Sequence, residues 1–194
     1  LFISANEYSG HTVKFSVVRY GNVFGSRGSV VPLFLEKKKE GVLPITHKDM
    51  TRFNVTLKDG VEMVLWSLKN SLGGEILVPK TPSYKLLDLA KAISPKSKIK
   101  IIGVRPGEKI HEELITKSDS FSTLDLGKYY VILPSSNTKI IKEYLKKKKG
   151  KKTNLQSYNS KDNENFLCHS ILCLLIIDFL YSKSSELDFK IDFF

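Results

Sequence analysis

The sequence predicts an α/β fold, and three observations predict it: short apolar, β-branched runs that stop at glycine or proline, helical-period segments alternating with them, and capping residues where those segments begin. Strands that alternate with helices argue for parallel strands joined by helical crossovers. At 194 residues with 41% hydrophobic content, the chain can bury one real core and is too short for two large domains.

Taken in order, residues 13–20 read as a buried strand, because Val13, Phe15, Val17 and Val18 form an apolar run ending at Gly21. After the glycine-rich turn Gly25-Ser26-Arg27-Gly28, Ser29 reads as the N-cap of a helix through Leu33, Phe34 and Leu35 that stops at Gly41. Residues 43–45 are extended. Thr56 and Asp59 form a capping-box-like pair, and Leu57, Val61, Val64, Leu65 and Leu68 then recur on one helical face as far as Gly73-Gly74. Residues 75–78 are a strand, and Ser83 opens a helix with Leu86, Leu89, Ala90 and Ile93 on one side, stopped by Pro95. A strand at 98–104 is broken by Arg105-Pro106-Gly107, and a short amphipathic helix at 108–115, a strand at 129–133 and a lysine-rich helix at 138–149 follow. Residues 166–181 are a nearly unbroken apolar run of 16, short for a bilayer span of roughly 20 residues, so the run reads as a buried helix.

The net charge of +11 divides unevenly: residues 1–135 carry +7, residues 136–165 carry +6, and the remainder carries −2. The tract Lys146 to Lys149 with Lys151 and Lys152 supplies much of the excess and reads as a solvated helix end, since no aromatics interleave with it as a nucleic-acid surface would require. Cys168 and Cys173 have neither zinc spacing nor a disulfide framework, and His11, His47, His111 and His169 are scattered. The expectation is a reducing, cytoplasmic compartment, no metal, no nucleic acid and no membrane. The start at Leu1, without an initiator Met or a signal peptide, reads as a cut rather than a beginning.

Of 31 basic residues only four are arginines, Arg19, Arg27, Arg52 and Arg105. In so lysine-rich a chain, a retained arginine marks a place that needs a planar, multi-donor guanidinium. Asn22 and Arg27 follow one apolar run, Arg105 and Glu108 follow another, and Arg52 precedes a capped helix. Ligands of open α/β sheets bind beyond the carboxyl ends of the strands. Guanidiniums gathered at one crevice would suit a diphosphate through paired, charge-assisted hydrogen bonds, and Gly25 and Gly28 would let backbone N–H groups approach it. Arg19 sits inside a strand and reads as structural.

The stretch Arg19-Tyr20-Gly21-Asn22-Val23-Phe24-Gly25-Ser26-Arg27-Gly28-Ser29-Val30-Val31-Pro32 resembles the motif after the catalytic helix in inverting UDP-N-acetylglucosamine 4,6-dehydratases, of the polysaccharide biosynthesis family in the extended short-chain dehydrogenase/reductase superfamily. So do Met50-Thr51-Arg52-Phe53, Gly74-Glu75-Ile76-Leu77-Val78-Pro79-Lys80 and Gly103-Val104-Arg105-Pro106-Gly107-Glu108-Lys109-Ile110-His111-Glu112, in the family's order across residues 1–135. The resemblance implies the C-terminal part of a Rossmann-type fold with its nucleotide-sugar subdomain at 1–135, a lysine-rich helix and linker at 136–165, and an atypical hydrophobic tail at 166–194. It implies that Asn22, Arg52, Arg105 and Glu108 bind UDP-N-acetylglucosamine, and that Val23, Phe24, Gly25, Ser26 and Arg27 line an NADP site. The implied reaction passes hydride from sugar C4 to NADP⁺, loses water across C5 and C6, and returns the hydride to C6.

Where the sequence departs from the family, it departs in ways that matter for activity. No Gly-x-x-Gly-x-x-Gly turn occurs and no Tyr-x-x-x-Lys precedes the motif that starts at Arg19, so the resemblance places the catalytic residues outside this chain and predicts no turnover by the chain alone, with an exposed apolar face and poor solubility. The full-length parent is expected to be a homo-oligomer. Leu1-Phe2 resembles the continuation of the catalytic helix, and Asn54 stands where the family has Trp. From Cys168 onward the family pattern is lost, as a frame change would produce. A UDP-hexosamine 4-epimerase, a C5-retaining dehydratase and a non-catalytic UDP-sugar-binding module are the alternatives, with a nucleic-acid-binding protein ranked last.

Overall fold

The computed structural model describes residues 1–8, 13–134 and 138–191. Helix α1 (Phe2–Tyr8) starts immediately, and strand β1 (Val17–Val18) is far shorter than the 13–20 run. Flanking bonds lengthen its pairing a little, Val17 N–H to Glu75 O at 3.0 Å and Arg19 N–H to Leu77 O at 2.8 Å. The ladder ends there because its partner, β4 in the numbering completed below, is itself only four residues long.

Helix α2 (Val30–Lys37) has Ser29 at its N-cap in extended conformation, and a short 3₁₀ turn, Lys38–Glu40, closes at Gly41 with φ 72°. Strands β2 (Val42–Ile45) and β3 (Thr51–Phe53) follow. Helix α3 (Leu57–Asn70) is capped as its sequence indicates, with Asp59 N–H donating to the Thr56 hydroxyl at 3.1 Å. Next come β4 (Ile76–Pro79), β5 (Ser83–Lys85), α4 (Leu86–Ile93), β6 (Lys98–Ile101), β7 (Glu113–Ile115), α5 (Lys117–Ser120), β8 (Thr123–Asp125) and β9 (Tyr129–Ile132). The chain continues through α6 (Thr138–Lys146), β10 (Lys151–Lys152), β11 (Tyr158–Asn159) and α7 (His169–Ile191).

The main sheet runs β1-β4-β9-β8-β10. The α/β class predicted from the sequence is observed, but the sheet is mixed: β1 with β4 and the separate pair β2 with β6 are parallel, whereas β4, β9, β8 and β10 pair antiparallel. The short connection between β8 and β9, turning at Gly127 with φ 87°, leaves no room for the crossover that parallel pairing needs. Two lysines form the outer strand β10, a charged edge that discourages pairing with another chain.

One face of this sheet packs Met63 of α3 and Ile140 and Tyr144 of α6 on Leu77 and Val131. The other packs Phe53, Ile115 and Tyr158 on Ile76, Val78 and Ile132. A third cluster lies outside the sheet, where Val31, Phe34, Leu43, Ile45, Leu86 and Leu89 meet Leu172 and Ile176 of α7. The apolar run after Phe166 is a helix seated on α4 by one side rather than the buried helix expected: Leu172 and Ile176 are buried, whereas Ile171, Leu174, Ile177 and Leu180 are exposed, because only one side meets the third cluster. Among the described residues no helix is long and apolar enough to cross a membrane.

Three local expectations give way to tertiary bonds. Ser83 does not open a helix: its N–H donates to Asn165 O and its carbonyl accepts from Leu167 N–H, both at 2.8 Å, which holds it in β5 and starts α4 at Leu86. Residues 108–112 are not helical, because the Ile110 carbonyl accepts from Thr51 N–H and Arg52 Nη1, each at 3.1 Å, instead of from the next turn. In α3, the face of Leu57, Val61, Val64, Leu65 and Leu68 is turned to solvent, and Gly60, Met63 and Ser67 face the sheet.

Candidate functional site

A cavity of about 280 Å³ opens beside the Gly25–Gly28 turn, just under the lower end, about 300 Å³, of the usual range of ligand sites. Asn22, Val23, Phe24, Gly25, Arg52, Arg105 and Glu108 line it. Ser26 and Arg27 are outside that lining and exposed at the tip of the turn, so Arg52 and Arg105 share a cavity and Arg27 does not join them. A larger cavity of about 600 Å³, between α5, β8 and α6, contains none of the predicted site residues. The smaller one has the chemistry: an apolar floor of Val31, Phe34, Met50 and Leu86 beneath a cationic rim.

Strand pairing positions Arg52. Its β3 neighbours Thr51 and Phe53 are buried, so the alternation of a strand turns Arg52 the opposite way, opposite Tyr84 of β5. The guanidinium donates to Thr51 O at 2.8 Å and Ile110 O at 3.1 Å, and pairs with Glu108 at 3.5 Å and Glu112 at 3.7 Å. Glu108 also accepts from Arg105 N–H at 3.2 Å, which folds the Arg105-Pro106-Gly107 turn back toward the cavity. Arg105 itself is exposed and has no ion-pair partner among the described residues. Burial, with the nearby Glu112 charge adding to it, pushes the Tyr84 phenol far up, so the hydroxyl in the lining remains protonated.

The sequence reading missed Glu112 and Ser160, which build the wall behind Arg52. Glu112 accepts from Phe53 N–H at 3.1 Å, and the Asn22 amide, with its nitrogen toward the carboxylate, donates to both Glu112 oxygens. Ser160, fully buried, receives Glu112 N–H at 2.9 Å on its hydroxyl and bonds the Thr51 hydroxyl at 2.7 Å. Tyr158-Asn159-Ser160 was visible as a family-like echo, but nothing in its spacing says that it returns across 48 residues to brace Glu112.

Asn54 adds a cost nearby, since its side-chain oxygen is buried without a hydrogen-bond partner among the described residues. Gly25, at φ 71°, permits a close approach, and the Phe179 ring of α7 makes it: a Cβ there would collide with that ring. Arg19 ties the sheet to α5, donating to Leu114 O and pairing with Asp119, each at 2.9 Å. Burial works against the Asp119 charge, but hydrogen bonds from Arg19 and Thr116 prevail and hold its carboxyl below the usual range.

Burial dominates at Glu112 and raises its pKa, against the Phe53 N–H bond and the Arg52 charge, which pull it down. Between the ordinary carboxylate pKa and the raised one, the folded chain holds a proton that the unfolded chain has released. Stability from this group therefore falls as pH rises through that window. Glu112→Gln keeps an acceptor for Phe53 N–H and is expected to flatten the fall of the urea midpoint as pH rises above the ordinary carboxylate pKa. An unchanged slope would assign it to another group.

The chain has marked similarity to known proteins. Over 138 residues it is 51% identical to the UDP-N-acetylglucosamine 4,6-dehydratase (inverting) of Campylobacter jejuni, covering 70% of this chain and 41% of that protein. It is 37% identical over 180 residues to the UDP-glucose 4-epimerase of Rickettsia akari, covering 90% and 52%. The solved structure of Pen from Bacillus thuringiensis superposes with a TM-score of 0.77 at 31% identity, over 91% of this chain and 53% of that one. The chain spans about half the length of the relatives it matches. With the model of the family described as polysaccharide biosynthesis protein matching residues 1–134, the chain belongs to that family.

Proposed function

We propose that this chain is the nucleotide-sugar-binding part of an NADP-dependent UDP-N-acetylglucosamine 4,6-dehydratase, a hydro-lyase acting in the cytoplasm in nucleotide-sugar biosynthesis. The observation that carries the reading is the pairing of Arg52 with Glu108 in the same lining as Arg105, over an apolar floor. Arg52 and Arg105 are assigned the diphosphate. A guanidinium held in plane by carbonyls and carboxylates is presented without further loss of side-chain freedom, whereas Arg105 supplies a mobile second cation. Glu108 orients Arg52, and Asn22 is assigned the sugar.

NADP would supply the hydride chemistry, with Val23, Phe24, Gly25, Ser26 and Arg27 along its nicotinamide end. Phe24 and Gly25 border the cavity as that role requires, and the exposed Arg27 is free to reach a phosphate. Since no Tyr-x-x-x-Lys precedes the motif that starts at Arg19 and the sequence holds no Gly-x-x-Gly-x-x-Gly turn, the chain alone is expected to bind and not to turn over. The free Cys168 and Cys173 suit a reducing compartment.

The epimerase reading shares this diphosphate recognition and draws on the Rickettsia relatives, but the greater identity lies with the dehydratase. Calorimetry tests the binding half of the proposal. The chain is expected to bind UDP and UDP-N-acetylglucosamine, and Arg105→Ala is expected to weaken both about tenfold, the loss of one charge-assisted contact. Equal affinity of the variant, or no binding by the parent chain, refutes the assignment.

A further inference from the structure

We propose that the larger cavity, about 600 Å³ between α5, β8 and α6, is a second binding site, and that it takes a small amphiphile, an apolar chain with a single anionic head. The site uses none of the residues assigned to the diphosphate or the cofactor and does not depend on that assignment. Its volume lies in the middle of the range over which pockets enclose drug-sized ligands.

The apolar lining comes from a helix that is wider than its seat. On α6, Ile140 and Tyr144 are buried against the sheet, and Ile141 and Leu145, each one residue further on, form the adjoining sector of the helix. That second sector lines the cavity, and Leu145 is still 37% exposed. Leu124 of β8, Leu133, Leu155 and Phe121 complete the apolar lining, and Phe121 is 85% exposed. α6 therefore carries apolar side chains over a wider arc than the sheet covers, and the cavity is the space that the extra sector faces. Ligand sites combine a lining of this kind with a few convergent polar groups.

Here the polar groups are cationic and uncommitted. Lys152 of β10 pairs in register with Leu124, and cross-strand partners share a face, so Lys152 stands on the α6 side of the sheet. Lys151 lies on the other face opposite Asp125 and already charges the sheet edge against pairing. Lys117, the first residue of α5, joins Lys152 in the lining. Among the described residues neither ammonium has a carboxylate partner, and no acidic side chain lines the cavity. The side chains of Ser122, Asn154 and Gln156, also in the lining, make no hydrogen bond among the described residues. Cations without counter-charge beside an apolar wall are complementary to a molecule that is anionic at one end and apolar along the rest. The cavity of Arg52 and Arg105 also sets cations over apolar side chains, but a guanidinium offers a planar fork, whereas an ammonium is a point charge. Two ammoniums therefore suit a single carboxylate or phosphate head, and burial of the chain behind it supplies the main driving force.

The test titrates the chain by calorimetry with octanoate, decanoate and dodecanoate, each below the concentration at which it self-associates. Affinity is expected to rise by up to about fourfold per added methylene, the factor that corresponds to burying one CH₂ group. Decanoate is expected to bind at least tenfold tighter than decyltrimethylammonium, and Lys117→Gln combined with Lys152→Gln to erase that preference. Ser122→Trp, which fills the cavity, and Leu145→Asp, which sets a carboxylate in its lining, are each expected to weaken decanoate at least tenfold. Leu174→Asp, at an apolar position 64% exposed on α7, is expected to leave it unchanged. Circular dichroism and thermal midpoints confirm that each variant is folded. No binding of the free probes, equal affinity for the cationic probe, binding indifferent to both cavity substitutions, or association only with phosphatidylglycerol vesicles overturns the proposal.

Discussion

Arg52→Ala is expected to abolish measurable UDP binding and also to destabilise the fold, and the two effects have one origin. The side chain is only 15% exposed and satisfies two carbonyls while facing two carboxylates. Its removal leaves Glu108 and Glu112 facing each other without a cation, and Glu112 is already hard to keep ionised. Truncating one member of a buried charge cluster costs about 3 kcal/mol, which for a chain of this length lowers the thermal midpoint by roughly 6–12 °C. Arg52→Lys is expected to recover part of the stability through its charge but little of the binding, because an ammonium cannot reproduce the fork that meets two carbonyls and a phosphate together. Differential scanning calorimetry and UDP titration of both variants measure the two effects. Should lysine restore full affinity, the guanidinium geometry has no part in recognition.

The second large effect is expected from the tail. Leu172 is fully buried against α4, in the cluster that also holds Leu86, Leu89 and Phe34. Leu172→Ala is expected to cost about 2–5 kcal/mol, the range for deleting a buried leucine, and Leu174→Ala, at a position 64% exposed, less than about 0.5 kcal/mol. Deleting α7 uncovers the whole cluster, including the floor of the cavity at Phe34 and Leu86, and is expected to give insoluble protein. Chemical denaturation of the two point variants, with solubility of the deletion, checks this. Equal stability of Leu172→Ala and Leu174→Ala would mean that α7 does not pack on α4 in solution. The departure from the family pattern after Cys168 and the burial of Leu172 and Ile176 are compatible, since an apolar helix of suitable length can cover an apolar surface without the family's own side chains.

Elements governed by local rules were legible in the sequence. The start of α2 after Ser29, the Thr56 cap of α3, the stop at Gly41 and β4 to within one residue follow from capping, positive φ and apolar periodicity, all of which act within a few residues, although the Ser29 hydroxyl itself makes no capping bond among the described residues. The arginine scarcity pointed to Arg52 and Arg105, which do share a cavity, because a scarce residue type is informative about chemistry even where position is unknown. The same argument admitted Arg27, and nothing local could show that it lies outside the lining that holds the other two.

Tertiary contacts decided the rest. Periodicity finds the apolar face of α3 but not which sector meets the sheet, because a wide stripe offers two and the choice depends on what lies on either side. Ser83 has the composition of a cap and is a strand residue because it pairs with Phe53 and bonds the backbone at Asn165 and Leu167. Glu112 and Ser160 became the brace of Arg52 through bonds spanning 48 to 109 residues, which no window along the chain contains. By itself the sequence determined the α/β class, the Thr56 cap of α3 and the scarce arginines among which the cavity's two were to be found. The folded structure alone determined which of those side chains converge, since convergence depends on backbone hydrogen bonds satisfied between distant segments, and such partners are chosen by the whole packing rather than by neighbours in sequence.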